Sequence, residues 1–144
     1  MLKNIDPVLS PELLYTLRAM GHGDEIAIVD ANYPADNAGN RVIRADGLSA
    51  TQLLDAILSV MPLDEFVAEA AWRPQLPADP AKELPVHADF AAVIARHETG
   101  KIALHALAPA AFYEKANNAC AMVASGERRL YGNIVLKKGV IHPA

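Results

Sequence analysis

Short apolar runs alternate along the chain with segments in which apolar residues recur at helical spacing. The run 25–30 is too short for a stable helix and long enough for a buried strand. Further strands are predicted over 42–44, 65–72, 102–107, 122–123 and 134–136. These runs show little polar alternation, which predicts strands that are buried on both faces.

Helices are predicted between the strands from their end signals. Ser10 is a suitable N-cap for a first helix that Gly21 ends, and a capping box at Ser49–Gln52 begins a second. Two more are predicted over 86–98 and 110–119, while the prolines within 73–85 predict an irregular surface segment. The pattern predicts a single domain over residues 1–144 of the α/β class, a three-layer α/β/α sandwich with a central mixed, largely parallel sheet.

Composition narrows the function classes. The net charge is −4 and no block of Lys and Arg exceeds two residues, so nucleic acid and anionic membranes are poor candidate partners. No apolar run approaches ~18 residues, and the first residues lack the apolar core of a signal peptide. The single cysteine, Cys120, fits a reducing compartment and is expected to belong to the core. These features predict a cytoplasmic protein.

The motifs of nucleotide and metal chemistry are missing. Neither glycine-rich phosphate motif occurs, and the five histidines are scattered, so no cofactor and no metal are expected. His22 lies between Gly21 and Gly23, whose lack of a Cβ lets a ligand approach the ring closely. The groups able to move protons and hold hydroxyls are His22, Asp30, Arg44, Tyr113, Tyr131 and Asn133.

Several segments resemble one known family in sequence and in order. They are 9–14, 20–26, 42–48, 111–114, 125–128, 131–134 and 136–140, whereas residues 62–100 match poorly. On these segments the chain is similar to the RbsD/FucU family of ribose pyranases and fucose mutarotases, and most similar to the fucose branch.

The resemblance implies an isomerase that interconverts the anomers of a free monosaccharide, most simply L-fucose, without a cofactor or metal. It implies His22 as the proton donor, because an imidazole with a reference pKa of about 6.5 suits proton transfer near neutral pH. It implies a sugar-binding role for Asp30, Tyr113, Tyr131, Gly132 and Asn133. It also implies a ring-like homo-oligomer, a decamer, with pockets near subunit contacts.

Two features leave alternatives open. The position four residues before Tyr113 is basic in the family and is Pro109 here, so the preferred sugar is open. A ribose pyranase, a non-catalytic monosaccharide-binding or transport-associated protein, and a structural oligomer without a ligand are the other interpretations. His22 and Asp30 flank a strand and can lie up to about 26 Å apart. They reach one sugar only if the chain bends or if two subunits build the pocket.

Overall fold

The computed structural model describes residues 1–144. Its α-helices are α1 (Pro11–Ala19), α2 (Ala50–Leu58), α3 (Pro85–His97) and α4 (Pro109–Asn117), with a short 3-10 helix at Ala35–Ala38. Its strands are β1 (Glu25–Val29), β2 (Arg41–Ala45), β3 (Ala71–Pro74), β4 (His105–Leu107), β5 (Ala121–Ser125) and β6 (Ile134–Lys137). None of the helices has the length and apolar content needed to cross a membrane.

The six strands form one sheet in the order β2-β5-β1-β6-β3-β4. Strand β6 runs antiparallel to both of its neighbours, β1 and β3, and the remaining neighbouring pairs are parallel. The prediction of a mixed, largely parallel sheet is therefore confirmed.

Side chains of the central strands alternate between two apolar cores, one on each face of the sheet. In β1, Ile26 and Ile28 enter the larger core with residues of α1, α2 and α3, whereas Ala27 and Val29 enter a smaller core with Phe112 of α4. Both faces are buried, which explains why the strands read as continuous apolar runs. The helices thus cover both faces, and the predicted three-layer sandwich is confirmed.

The strand predicted over 65–72 is wrong over most of its length, because only residues 71–74 pair in the sheet. The chain turns at Asp64, whose side chain accepts the backbone N–H of Phe66 at 3.0 Å. This local hydrogen bond competes with strand pairing, and it leaves Phe66 and Val67 exposed. The strand predicted over 102–107 is likewise shorter, His105–Leu107.

Cys120 is exposed, contrary to the expectation that it belongs to the core. It immediately precedes β5, and its side chain lines a shallow hollow with Asp24 and Arg41 at the edge of the molecule. Its neighbours Ala119 and Ala121 are the buried residues at this point of the chain.

Candidate functional site

The carboxyl end of β1 carries a buried carboxylate, Asp30. The backbone N–H of Asp30 donates to Asn133 Oδ1 at 2.7 Å, which joins the end of β1 to the residue preceding β6. Asp30 Oδ1 accepts the N–H of Asn32 at 2.9 Å, so the carboxylate also shapes the following turn. Burial raises the pKa of Asp30, and hydrogen bonds with Asn32 and Asn133 oppose the rise only in part.

A cavity of about 180 Å³ opens beside Asp30. Its lining residues are mostly polar or aromatic: Asp30, Asn32, Tyr33, Tyr113, Leu130, Tyr131 and Asn133. Four of the five residues predicted to bind sugar therefore line one cavity. Carboxylate, amide and phenol groups that converge in this way suit a polyhydroxylated ligand, since each buried hydroxyl needs a hydrogen-bond partner.

Gly132, the fifth of these residues, does not line the cavity and has a backbone role. A Cβ atom at this position would lie 2.7 Å from Glu127 Cγ and 3.0 Å from the Arg129 carbonyl oxygen. Glu127 is buried and accepts from Arg129 Nε at 2.9 Å, so it has little freedom to move away. Only glycine therefore allows the chain to pass this network on its way from Tyr131 to Asn133.

Two tyrosines form the aromatic wall of the cavity. The rings of Tyr33 and Tyr113 stack with centroids 5.2 Å apart, and the Tyr33 hydroxyl donates to Asn117 Oδ1 at 3.2 Å. Burial, with smaller contributions from Tyr113 and Asp30, raises the pKa of Tyr33 to about 12, so its hydroxyl stays protonated at neutral pH. Such a wall suits the apolar face of a sugar ring.

The basic residue that the resemblance implies four positions before Tyr113 is absent here, and β4 supplies no replacement. Pro109 is the first residue of α4 and lies one turn before Tyr113. His105 lies 3.3 Å from Glu69 and is not among the lining residues of the cavity. Neither Pro109 nor His105 therefore supplies a cation to the lining of this cavity.

The amino end of β1 carries His22, which lies in the turn between α1 and β1. Its Nε2 atom lies 3.1 Å from Asp64 Oδ1, and 47% of its side chain is exposed. The imidazole and the Phe66 ring make a T-shaped contact, with centroids 5.6 Å apart. His22 is thus held on one side by a carboxylate and open to a ligand on the other.

Strand β6 brings His22 and Asp64 together, because both segments bond to its end. The N–H of Gly23 donates to the Lys138 carbonyl at 2.9 Å, and the N–H of Asp64 donates to the Lys137 carbonyl at 3.0 Å. Asp64 is buried, which opposes its ionisation, but hydrogen bonds from the Phe66 N–H and from His22 hold its pKa below the usual value. The carboxylate therefore accepts a hydrogen bond from the imidazole and fixes the orientation of the ring.

The sequence analysis did not single out Asp64, because it predicted a strand over the residues that follow, 65–72. Nothing in the pattern distinguishes it from Glu65, since the two acidic residues are adjacent and both follow Pro62 closely. The partner of His22 is set by the pairing of β6, which begins 70 residues after Asp64, and the local pattern does not contain that information.

The structure does not bring His22 to the cavity within one chain. His22 precedes β1 and Asp30 follows it, and the four residue steps of the strand alone span about 13 Å. Nor does the chain gather three or more His, Cys, Asp or Glu side chains in a group that could hold a metal ion. The candidate site therefore has two parts: the His22–Asp64 pair and the cavity beside Asp30, which we name the hydroxyl cradle.

The sequence of this chain is similar to that of a known protein family and of its members. Residues 3–141 match the RbsD / FucU transport protein family. The fucose mutarotase of Mus musculus is 46% identical over 146 residues, covering 97% of this chain and 95% of the relative.

Two solved structures are also similar to this chain. The crystal structure of the fucose mutarotase in complex with L-fucose from Streptococcus pneumoniae is 42% identical, with a TM-score of 0.90 over 98% of this chain and 100% of that chain. The structure of Bacillus subtilis RbsD complexed with D-ribose shares the fold, with a TM-score of 0.76 over 99% of this chain and 100% of that chain, at 20% identity. The family match and the relative of high identity both span nearly the whole chain, which belongs to the RbsD/FucU family.

Proposed function

We propose that this protein is an L-fucose mutarotase, an isomerase that interconverts the α and β anomers of the free sugar. The observation that carries the proposal is the convergence of Asp30, Tyr131 and Asn133 on one small polar cavity with an aromatic wall. The relatives with high identity over the full length are fucose mutarotases, which favours fucose over ribose.

The chemistry requires only proton transfers. Ring opening protonates the ring oxygen and passes the proton of the anomeric hydroxyl to water. Rotation about C1–C2 follows, and reclosure reverses both proton transfers to give the other anomer and restore the proton donor. His22 donates the proton to the ring oxygen, and Asp64, 3.1 Å from Nε2, holds the imidazole in the orientation needed for the transfer. Asp30, Tyr113, Tyr131 and Asn133 hold the sugar hydroxyls. Because the reaction proceeds unaided in water, the roughly 10²–10⁴-fold gain typical of a positioned acid suffices.

The proposal includes a homo-oligomer, a decamer, in which His22 of one copy meets the hydroxyl cradle of another. The separation of the two parts along β1 supports this assembly. So does the exposure of apolar side chains beside both parts: Phe66 is 61% exposed next to His22, and Leu130 is 64% exposed at the cradle. Large apolar groups of this kind mark interaction surfaces when they cluster.

We also propose a cytoplasmic location, which suits the free thiol of Cys120.

Exchange NMR on equilibrated sugars tests the function. We expect the wild-type protein to accelerate exchange between the anomers of L-fucose, and His22→Ala to reduce that acceleration by about 10²–10⁴-fold. His97→Ala is the matched control, because His97 also contacts an aspartate, Asp55 at 2.6 Å, but belongs neither to the His22–Asp64 pair nor to the lining of the hydroxyl cradle. The control should exchange fucose at the wild-type rate.

The same measurement separates the alternatives. Acceleration of pyranose–furanose exchange of ribose, without an effect on fucose, would identify a ribose pyranase and contradict the proposal. Sugar binding with no acceleration of either exchange would identify a non-catalytic binding protein. A wild-type rate in His22→Ala would remove His22 from the mechanism.

A further inference from the structure

The imidazole of His87 is fully buried near the start of α3 and bonds at both ring nitrogens. Its Nδ1 accepts the backbone N–H of Leu84 at 3.2 Å, and its Nε2 lies 2.9 Å from the Tyr131 carbonyl oxygen. A backbone amide only donates, so Nδ1 carries no proton. The proton therefore resides on Nε2, which donates to Tyr131.

The backbone that receives this hydrogen bond has an uncommon conformation. Tyr131 has φ of +58°, in the left-handed region that a bulky residue rarely adopts. A conformation of this kind persists only when the surrounding structure holds it in place. Downstream, the close approach of Gly132 to Glu127 restrains the chain, and the carbonyl of Tyr131 itself is held by His87.

We infer that His87 is a positioning residue for sugar recognition, whose Nε2–H holds the left-handed backbone of Tyr131 and so directs Tyr131 and Asn133 into the hydroxyl cradle. The inference rests on the proposed function, because the sugar gives the cradle its purpose. His87 does not line the cavity, so it acts through Tyr131 and not by contact with the ligand.

The surroundings of His87 keep this donor available. Burial lowers the pKa of His87, and the nearby Arg73 guanidinium adds to the effect, against the opposing influence of the Tyr131 carbonyl and Glu83. The ring therefore stays neutral at pH 7, with one donor and one acceptor that match its two partners. No other tautomer satisfies both Leu84 and Tyr131.

Two substitutions separate the two hydrogen bonds. His87→Asn retains an acceptor near Nδ1 for the Leu84 N–H but is too short to reach the Tyr131 carbonyl. His87→Gln places an amide donor near Nε2. We expect His87→Asn to raise the KM for L-fucose about tenfold with kcat within about twofold of wild type, and His87→Gln to restore most of the affinity.

His97→Asn, on the same helix, is the matched control and should leave the KM unchanged. Crystal structures of both His87 variants give a direct readout: φ of Tyr131 should leave the left-handed region in His87→Asn and remain there in His87→Gln. This readout does not depend on activity, so it tests the inference even if the wild-type protein fails to exchange fucose anomers, an outcome that would overturn the proposed function alone.

Either of two results would overturn the inference. One is a left-handed Tyr131 with an unchanged KM in His87→Asn. The other is an equal rise of the KM in His87→Asn and His87→Gln, since a loss of general packing would affect both variants alike.

Discussion

The two ends of β1 carry chemistry of different kinds and are built in different ways. At the carboxyl end, hydrogen bonds hold Asp30 to Asn133 and Tyr131 to His87, and the Glu127–Arg129 contact restrains the adjoining backbone. At the amino end, His22 is half exposed, and a single carboxylate restrains its ring.

The difference follows from what each end has to do. Several hydroxyls of a sugar are recognised together, so the cradle has to be rigid before the ligand arrives. A proton donor needs one face open to the reacting atom and one partner for its charge. In the proposed function we therefore expect the rigid end to determine affinity and the open end to determine rate, with a second copy of the chain bringing the two ends together in the proposed oligomer.

Mixed oligomers test this division most strongly. Co-expression of His22→Ala with Asn133→Ala, each nearly inactive alone, should restore about a quarter of the wild-type sites if every site takes its two parts from different copies. The restored rate is measured by exchange NMR on oligomers purified through two different affinity tags.

His22→Ala co-expressed with Asp64→Ala is the control for this experiment. Both substitutions affect the amino end, so no mixed site contains an intact His22–Asp64 pair, and activity should not rise above the mean of the two variants. Failure of the first pair to regain activity would mean that one chain supplies the whole site.

Gly132→Ala tests the rigidity of the cradle. The new Cβ meets Glu127 Cγ at 2.7 Å, and because Arg129 holds Glu127, we expect a loss of about 1–3 kcal/mol in the free energy of unfolding and a raised KM. Urea unfolding measures the loss. In Gly47→Ala no atom lies within 4 Å of the added methyl group, so the change should stay within about 0.5 kcal/mol. Equal stabilities for the two variants would show that the chain around residue 132 shifts to accommodate the added methyl group.

Asp64→Asn tests the open end. The amide still accepts the Phe66 N–H, but the negative charge beside His22 is lost, so kcat should fall about tenfold with little change in KM, as for other groups that support a reacting residue. Asp55→Asn breaks a comparable contact with His97 and should leave both constants unchanged. A change in KM without a change in kcat would move Asp64 from the proton-transfer part to the sugar-binding part.

The sequence predicted the two ends unequally well. Asp30 could be singled out because it directly follows an apolar strand, and Asn133 because it lies in segment 131–134, which resembles the family. The role of Asp64 could not, because a local turn interrupts the apolar run 65–72 and the pairing of β6 selects its contact. His87 looked like one of five scattered histidines, since its partners lie at Leu84 and across the fold at Tyr131. Local periodicity finds strands and caps, but hydrogen bonds between distant segments depend on the assembled sheet.

The two carboxylates offer a final comparison, because their pKa values shift in opposite directions. The pKa of Asp30 is raised in the folded state, so its ionised form lowers the free energy of unfolding. The decrease is complete above the folded-state pKa and vanishes below the unfolded value of about 3.9. The pKa of Asp64 is lowered, so its contribution is complete above about 3.9 and is lost as the pH falls through the folded-state value. Urea unfolding from pH 7 towards about pH 2.5 should therefore show Asp30→Asn losing stability relative to wild type as the pH falls, and Asp64→Asn gaining it below about pH 3.9. Parallel curves for the two variants would mean that burial and hydrogen bonding do not distinguish the two ends of β1.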